Sequence, residues 1–75
     1  MVSFKISLSS IGDVKNFVNI VTNCPYDIDL TSGRYVVDAK SIMGIFSLDL
    51  SKPIDINVHS DNADDLVKAL EAYKA

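Results

Sequence analysis

The stretch Asp27-Ile28-Asp29-Leu30-Thr31-Ser32-Gly33-Arg34-Tyr35-Val36-Val37-Asp38-Ala39-Lys40-Ser41-Ile42-Met43-Gly44-Ile45-Phe46-Ser47-Leu48 decides how this chain folds. Asp27-Ile28-Asp29-Leu30 alternates polar and apolar residues, the period of a strand with one buried face. Thr31-Ser32-Gly33-Arg34 reads as a turn, with Gly33 free to take a positive φ. Tyr35-Val36-Val37-Asp38 is β-branched and aromatic, so the two runs predict a hairpin. Ser41 then stands before an apolar group at helical spacing. Its hydroxyl is placed to cap a short helix over roughly 42 to 50, which Ser51-Lys52-Pro53 breaks.

The flanking segments extend this pattern. Val2, Phe4, Ile6 and Leu8 alternate with Ser3, Lys5, Ser7 and Ser9, which predicts a first strand. Val14, Phe17, Val18 and Val21 predict an amphipathic helix from 13 to about 23, with Asp13 as its N-cap. Pro25 disfavours helical geometry at Cys24 and ends it. Ile54, Ile56 and Val58 alternate with Asp55, Asn57 and His59, a fourth strand. A last helix begins at Asp61 or Asn62, with Ala63, Leu66, Val67, Leu70 and Tyr73 as its apolar stripe. The order is β-α-β-β-α-β-α, which predicts an α+β sandwich with helices on one face of a four-stranded sheet.

With 75 residues the chain is expected to form one domain, 1–75, with a modest core. Hydrophobic residues make up 48% and charged residues 23%, the balance of a soluble globular protein. No apolar run reaches the ~20 residues a membrane helix needs, and no signal peptide is read at Met1-Val2-Ser3-Phe4-Lys5, so no membrane partner and a cytoplasmic location are expected. Net charge is −3, and the basic residues Lys5, Lys15, Arg34, Lys40, Lys52, Lys68 and Lys74 are scattered, which argues against nucleic acid. One cysteine and one histidine supply neither a disulfide nor a metal-ligand set, and no cofactor is implied.

The segment Lys40-Ser41-Ile42-Met43-Gly44, followed by Ser47-Leu48 and set between a hairpin and a further strand, resembles HPr, the small phosphocarrier of the bacterial sugar phosphotransferase system. The resemblance is strongest over Asp27 to Leu48 and reaches nearly the whole chain. It implies an HPr-like open-faced sandwich, a four-stranded antiparallel sheet with three helices on one face. It also implies that Ser41 is a regulatory phosphorylation site and that Ile42, Met43 and Phe46 form a docking surface for partner proteins. The family's partners are the phosphotransferase enzyme, an HPr kinase/phosphorylase and a transcriptional regulator. The family's phosphocarrier is a histidine in a Gly-x-His-x-Arg-Pro motif between the first strand and first helix. This chain reads Ser9-Ser10-Ile11-Gly12-Asp13-Val14-Lys15 there and is shorter than the family in that region. The candidates for the histidine's place are Ser10, Ile11, Gly12 and Asp13, and none is a nitrogen nucleophile.

A phosphocarrier needs such a nucleophile because a phosphoramidate passes its phosphoryl group on readily, whereas a serine ester is too stable. His59 stands on the polar phase of the fourth strand and cannot inherit the role by position. Cys24 has no neighbouring cation to activate it. Two readings of Ser41 coexist, a helix cap and the phosphorylation site that the resemblance implies. Ile42, Met43 and Phe46 either complete the core or form the exposed docking patch, since Ile45 and Leu48 also need burial. The sequence thus predicts a monomeric, non-enzymatic HPr-like regulatory or interaction protein. Two alternatives stay open: a true phosphocarrier with an unrecognised acceptor, and a degenerate HPr-fold domain with an unrelated binding role.

Overall fold

The alternating runs do form strands, and their register explains the layering. The computed structural model describes residues 1–75. Its elements are β1 (Val2–Ile6), α1 (Ile11–Thr22), β2 (Ile28–Ser32), β3 (Tyr35–Asp38), α2 (Ile42–Phe46), β4 (Ile54–Val58) and α3 (Asp64–Ala69), followed by a 3-10 turn at Glu71–Tyr73. The strands form one antiparallel sheet in the order β1-β4-β2-β3.

Pairing of Phe4 with Ile56 and of Ile56 with Leu30 puts the apolar phases of three strands on the same face. Ile6, Ile28, Leu30, Ile54, Ile56 and Val58 are buried there, beneath Val14, Phe17 and Val21 of α1, Ile45 of α2, and Leu66 of α3 with Leu70 just beyond it. The opposite phase (Ser3, Lys5, Asp29, Asp55, Asn57) makes an open polar face. No charged or polar side chain is buried in the core. No helix is long and apolar enough to cross a membrane.

The hairpin closes through a two-residue loop, Gly33-Arg34, between paired Ser32 and Tyr35. Gly33 takes φ +60°, and no other residue has a positive φ. A positive φ confined to the first loop position defines a type II′ turn, whose twist matches that of the flanking strands.

Three helix boundaries differ from the sequence reading. Ser10, not Asp13, caps α1: its Oγ accepts from the Asp13 N–H at 3.1 Å, and α1 starts two residues earlier than expected. α2 ends at Phe46 rather than near residue 50. There the Ser47 hydroxyl donates to the Gly44 carbonyl, and the Ser47 and Leu48 N–H groups make tight three-residue bonds to Gly44 and Ile45. Such local bonds end a helix, and they turn Leu48 into the core. Neither Asp61 nor Asn62 caps α3. Ala63 holds the cap position without a side-chain bond, and Ser60 takes the Asn62 N–H instead.

Replacing Gly33 by Ala is expected to lower stability by about 1 kcal/mol or more, because an L side chain is strained at that φ. The check is a urea unfolding curve with an unchanged m-value and a lower midpoint.

Candidate functional site

The sequence points to two helix starts, and the structure builds them differently. At the first, Ser10 is extended (φ −140°, ψ 163°) and its carbonyl receives the Val14 N–H at 3.1 Å. Asp13 lies in the first turn. Its Oδ2 accepts from the Ser9 N–H at 3.2 Å and the Ser9 hydroxyl at 3.0 Å. The carboxylate therefore folds back over the helix start, in the manner of a capping box moved one residue upstream. A negative group already occupies the positive end of the α1 dipole. Ile11 is 64% exposed beside it, a feature that the apolar stripe of α1 did not suggest.

At the second start, Ser41 is exposed, with φ −98° and ψ 101°. Its Oγ accepts from the Gly44 N–H at 3.2 Å, the cap that the sequence predicts. The first turn of α2 carries no acidic residue. Gly44 is the residue that lets α2 sit so close to β3, since a Cβ there would stand 3.3 Å from the Val37 Cβ and 3.2 Å from the Ser41 Oγ. This role is invisible in sequence, where Gly44 looks like a weak point in a helix. The Lys40 backbone N–H donates to Asp38 Oδ1 at 2.9 Å, and its ammonium donates to the Cys24 carbonyl at 3.2 Å. That bond ties the approach to α2 to the end of α1.

The apolar residues of α2 divide cleanly. Ile45 is fully buried, Ile42 is half-buried, and Met43 and Phe46 are 77% and 40% exposed. Four large apolar residues cannot share the single inward side of a five-residue helix, and the outward ones are Met43 and Phe46.

His59 lies elsewhere, just past β4. Its Nε2 is 2.7 Å from Asp29 Oδ2. Asn57 Nδ2 donates to Asp29 Oδ1 and to Thr31 Oγ1, both at 2.9 Å, and Ser3 Oγ donates to Asn57 Oδ1 at 3.0 Å. This network runs across the polar face of the sheet, away from the helices. Partial burial works to raise the Asp29 carboxyl, but the hydrogen bonds from His59 and Asn57, with the His59 charge, outweigh it and hold the group below its ordinary value. Cys24 is half-buried with its Sγ 3.7 Å from the Ile20 carbonyl. Burial, and then a hydrogen bond with Cys24, push the neighbouring Tyr26 phenol up.

A sequence model described as "PTS HPr component phosphorylation site" matches residues 14–75. The chain belongs to the HPr family. The match begins at Val14, just past the capped start of α1. The HPr-like fold is shared with solved structures. HPr-C-His from Thermoanaerobacter tengcongensis superposes with a TM-score of 0.80 at 25% identity, over 96% of this chain and 89% of that one. The phosphocarrier protein HPr from Bacillus anthracis str. Ames gives 0.75 at 28% identity, over 99% and 96%. No curated protein sequence matches the chain significantly. HPr proteins carry phosphoryl groups and interact with other proteins of the phosphotransferase system, and they are not themselves catalysts.

Two outcomes are expected here. Ser41→Ala removes the α2 cap and costs about 1 kcal/mol, a fall in Tm of roughly 4–8 °C measured by calorimetry. Asp29 has a folded-state pKa below its unfolded value, so its contribution is present above about pH 4 and is lost as pH falls through the folded value. Asp29→Asn should therefore flatten the acid limb of the stability profile below about pH 4 and lower the plateau above it, as followed by denaturant titrations at several pH values.

Proposed function

We propose that this HPr-family protein is a regulatory interaction module of the phosphotransferase and catabolite-control network and not a phosphocarrier. It acts as a single cytoplasmic domain over 1–75, with no enzymatic activity of its own. It binds partner proteins through Ile42, Met43 and Phe46, and a phosphate on Ser41 regulates that binding. The observation that carries this reading is the exposure of Met43 and Phe46 on the same short helix that Ser41 caps. Met and Phe are enriched at protein interfaces, and exposed apolar side chains that lie together mark docking surfaces.

The start of α1 supports the other half of the reading. The side chains from Ser10 to Asp13 include no imidazole, and the Asp13 carboxylate is already engaged by Ser9. The one histidine is bonded to Asp29 on the far face of the sheet. The partners inferred from the family are an HPr kinase/phosphorylase or a transcriptional regulator.

Ser41 is suited to a phosphate for physical reasons. Its oxygen already meets a first-turn N–H, and phosphate oxygens would meet the same donors. No carboxylate in that turn repels them. Lys40 supplies less than its position in the sequence suggests, because its ammonium is held by Cys24.

The test is intact mass after incubation with ATP and a bifunctional HPr kinase/phosphorylase, with Ser41→Ala as control. One added phosphate, absent from the control, is expected. An unmodified mass removes Ser41 regulation by that kinase from the reading. Incubation with phosphoenolpyruvate and the phosphotransferase enzyme is expected to add no acid-labile phosphate, and such a label would make the protein a phosphocarrier. Met43→Ala, at an exposed position, is expected to leave stability within about 0.5 kcal/mol and to lower the kinase's kcat/KM about tenfold.

A further inference from the structure

The two edges of the sheet are not alike. Residues 73–75 cover the β1 edge: Ser7 N–H donates to the Tyr73 carbonyl at 2.7 Å, Ala75 N–H donates to the Lys5 carbonyl at 3.1 Å, and Lys74 bridges Ile6. At the other edge β3 has a neighbour only on its β2 side. Tyr35 and Val36 on it are 68% and 65% exposed.

The hairpin register says which backbone groups face outward. The Ala39 N–H donates to the Ile28 carbonyl at 3.0 Å, in register with the Leu30–Val37 and Ser32–Tyr35 pairs. The odd-numbered residues of β3 therefore bond inward to β2. By the alternation of an antiparallel ladder, the N–H and C=O of Val36 and the N–H of Asp38 point away from the sheet. Such an edge is a template for another strand unless something blunts it.

We propose that the β3 edge pairs with the β3 edge of a second copy of this chain, antiparallel and centred on Val36. The sequence around β3 is complementary to itself in this register. Val36 faces Val36, Tyr35 faces Val37, and Arg34 of each copy faces Asp38 of the other. Arg34 has no ion-pair partner within its own chain. One oxygen of Asp38 holds the Lys40 N–H and leaves the other for the arginine. Other registers that match outward-facing groups lose this charge match: one sets Tyr35 against Tyr35 and Arg34 against Val36, the next sets Val37 against Val37 and Asp38 against Val36. Opposite charges and β-branched or aromatic pairs are the cross-strand contacts that stabilise antiparallel ladders. The pair has two-fold symmetry, so the contact closes as a dimer and does not propagate.

The interface is one strand of four residues. A contact this small gives a weak, concentration-dependent dimer, with Kd on the order of 0.1–1 mM. It uses the sheet edge and leaves Met43 and Phe46 exposed on α2.

Sedimentation equilibrium of the full chain from about 10 μM to 1 mM tests the proposal across that Kd range. The weight-average mass is expected to rise from 8.2 kDa toward twice that value. Over the same range the Val36 and Asp38 amides should become slower in hydrogen exchange. Val36→Pro removes the outward donor without touching the bonds to β2, and should hold the mass at the single-chain value. Val36→Lys, at an exposed position, gives the same readout if the proline variant does not fold. Arg34→Asp is expected to weaken the dimer about tenfold by setting like charges opposite each other. A single-chain mass at 1 mM, or a dimer that persists in a folded Val36 variant, overturns the proposal. A mass that stays single at every concentration while a foreign peptide protects the Val36 amide also overturns it and assigns the edge to another protein.

Discussion

The structure depends on one constraint, a four-stranded sheet with a single apolar face. Pairing aligns Phe4, Ile56 and Leu30 in one row and Ile6 with Ile54 in the next. A slip of one residue in any strand would send its apolar side chains to the polar face. That requirement fixes the register, and the register decides where everything else goes. The helices must cover the apolar face, so α2 is drawn down until Gly44 meets Val37. Ile45 and Leu48 are consumed by the core, and Met43 and Phe46 are left outside.

The same constraint separates the chemistry of the two faces. The polar face gathers Ser3, Asn57, Asp29, Thr31 and His59 into one hydrogen-bonded network. That network accounts for the only histidine as a sheet-face partner of a carboxylate. The helical side holds two capped helix starts of opposite character. One is closed by the Asp13 carboxylate, and the other is open at Ser41 with no acidic residue in its first turn. A helix start carrying its own anion has little use for another, whereas an uncompensated one accepts added negative charge.

Much of this was legible in the residues. Period-two alternation marked β1, β2 and β4, and β-branched and aromatic residues marked β3. The structure carries β2 on through Thr31 and Ser32, which the sequence assigned to the turn, because both pair with β3. The Ser41 cap follows from a hydroxyl one position before an apolar helical run. The boundaries of α1, α2 and α3 were less legible because each depends on a competition among neighbouring polar side chains. Ser10 and Asp13 both suit an N-cap, and the contest is settled by Ser9 binding the Asp13 carboxylate. Asp61 and Asn62 look like caps, but burial of Ala63 moves the helix start beyond them.

The sequence by itself determined the element order, the apolar face, the positive-φ turn at Gly33 and the absence of an imidazole at the start of α1. These are local or periodic properties that each segment carries alone. Only the tertiary structure decided which of Ile42, Met43, Ile45 and Phe46 face solvent, that Lys40 reaches Cys24, that His59 meets Asp29, and that one sheet edge is covered while β3 stands open. Each of these depends on segments far apart in the chain meeting at one place, and on how much room the single core has left.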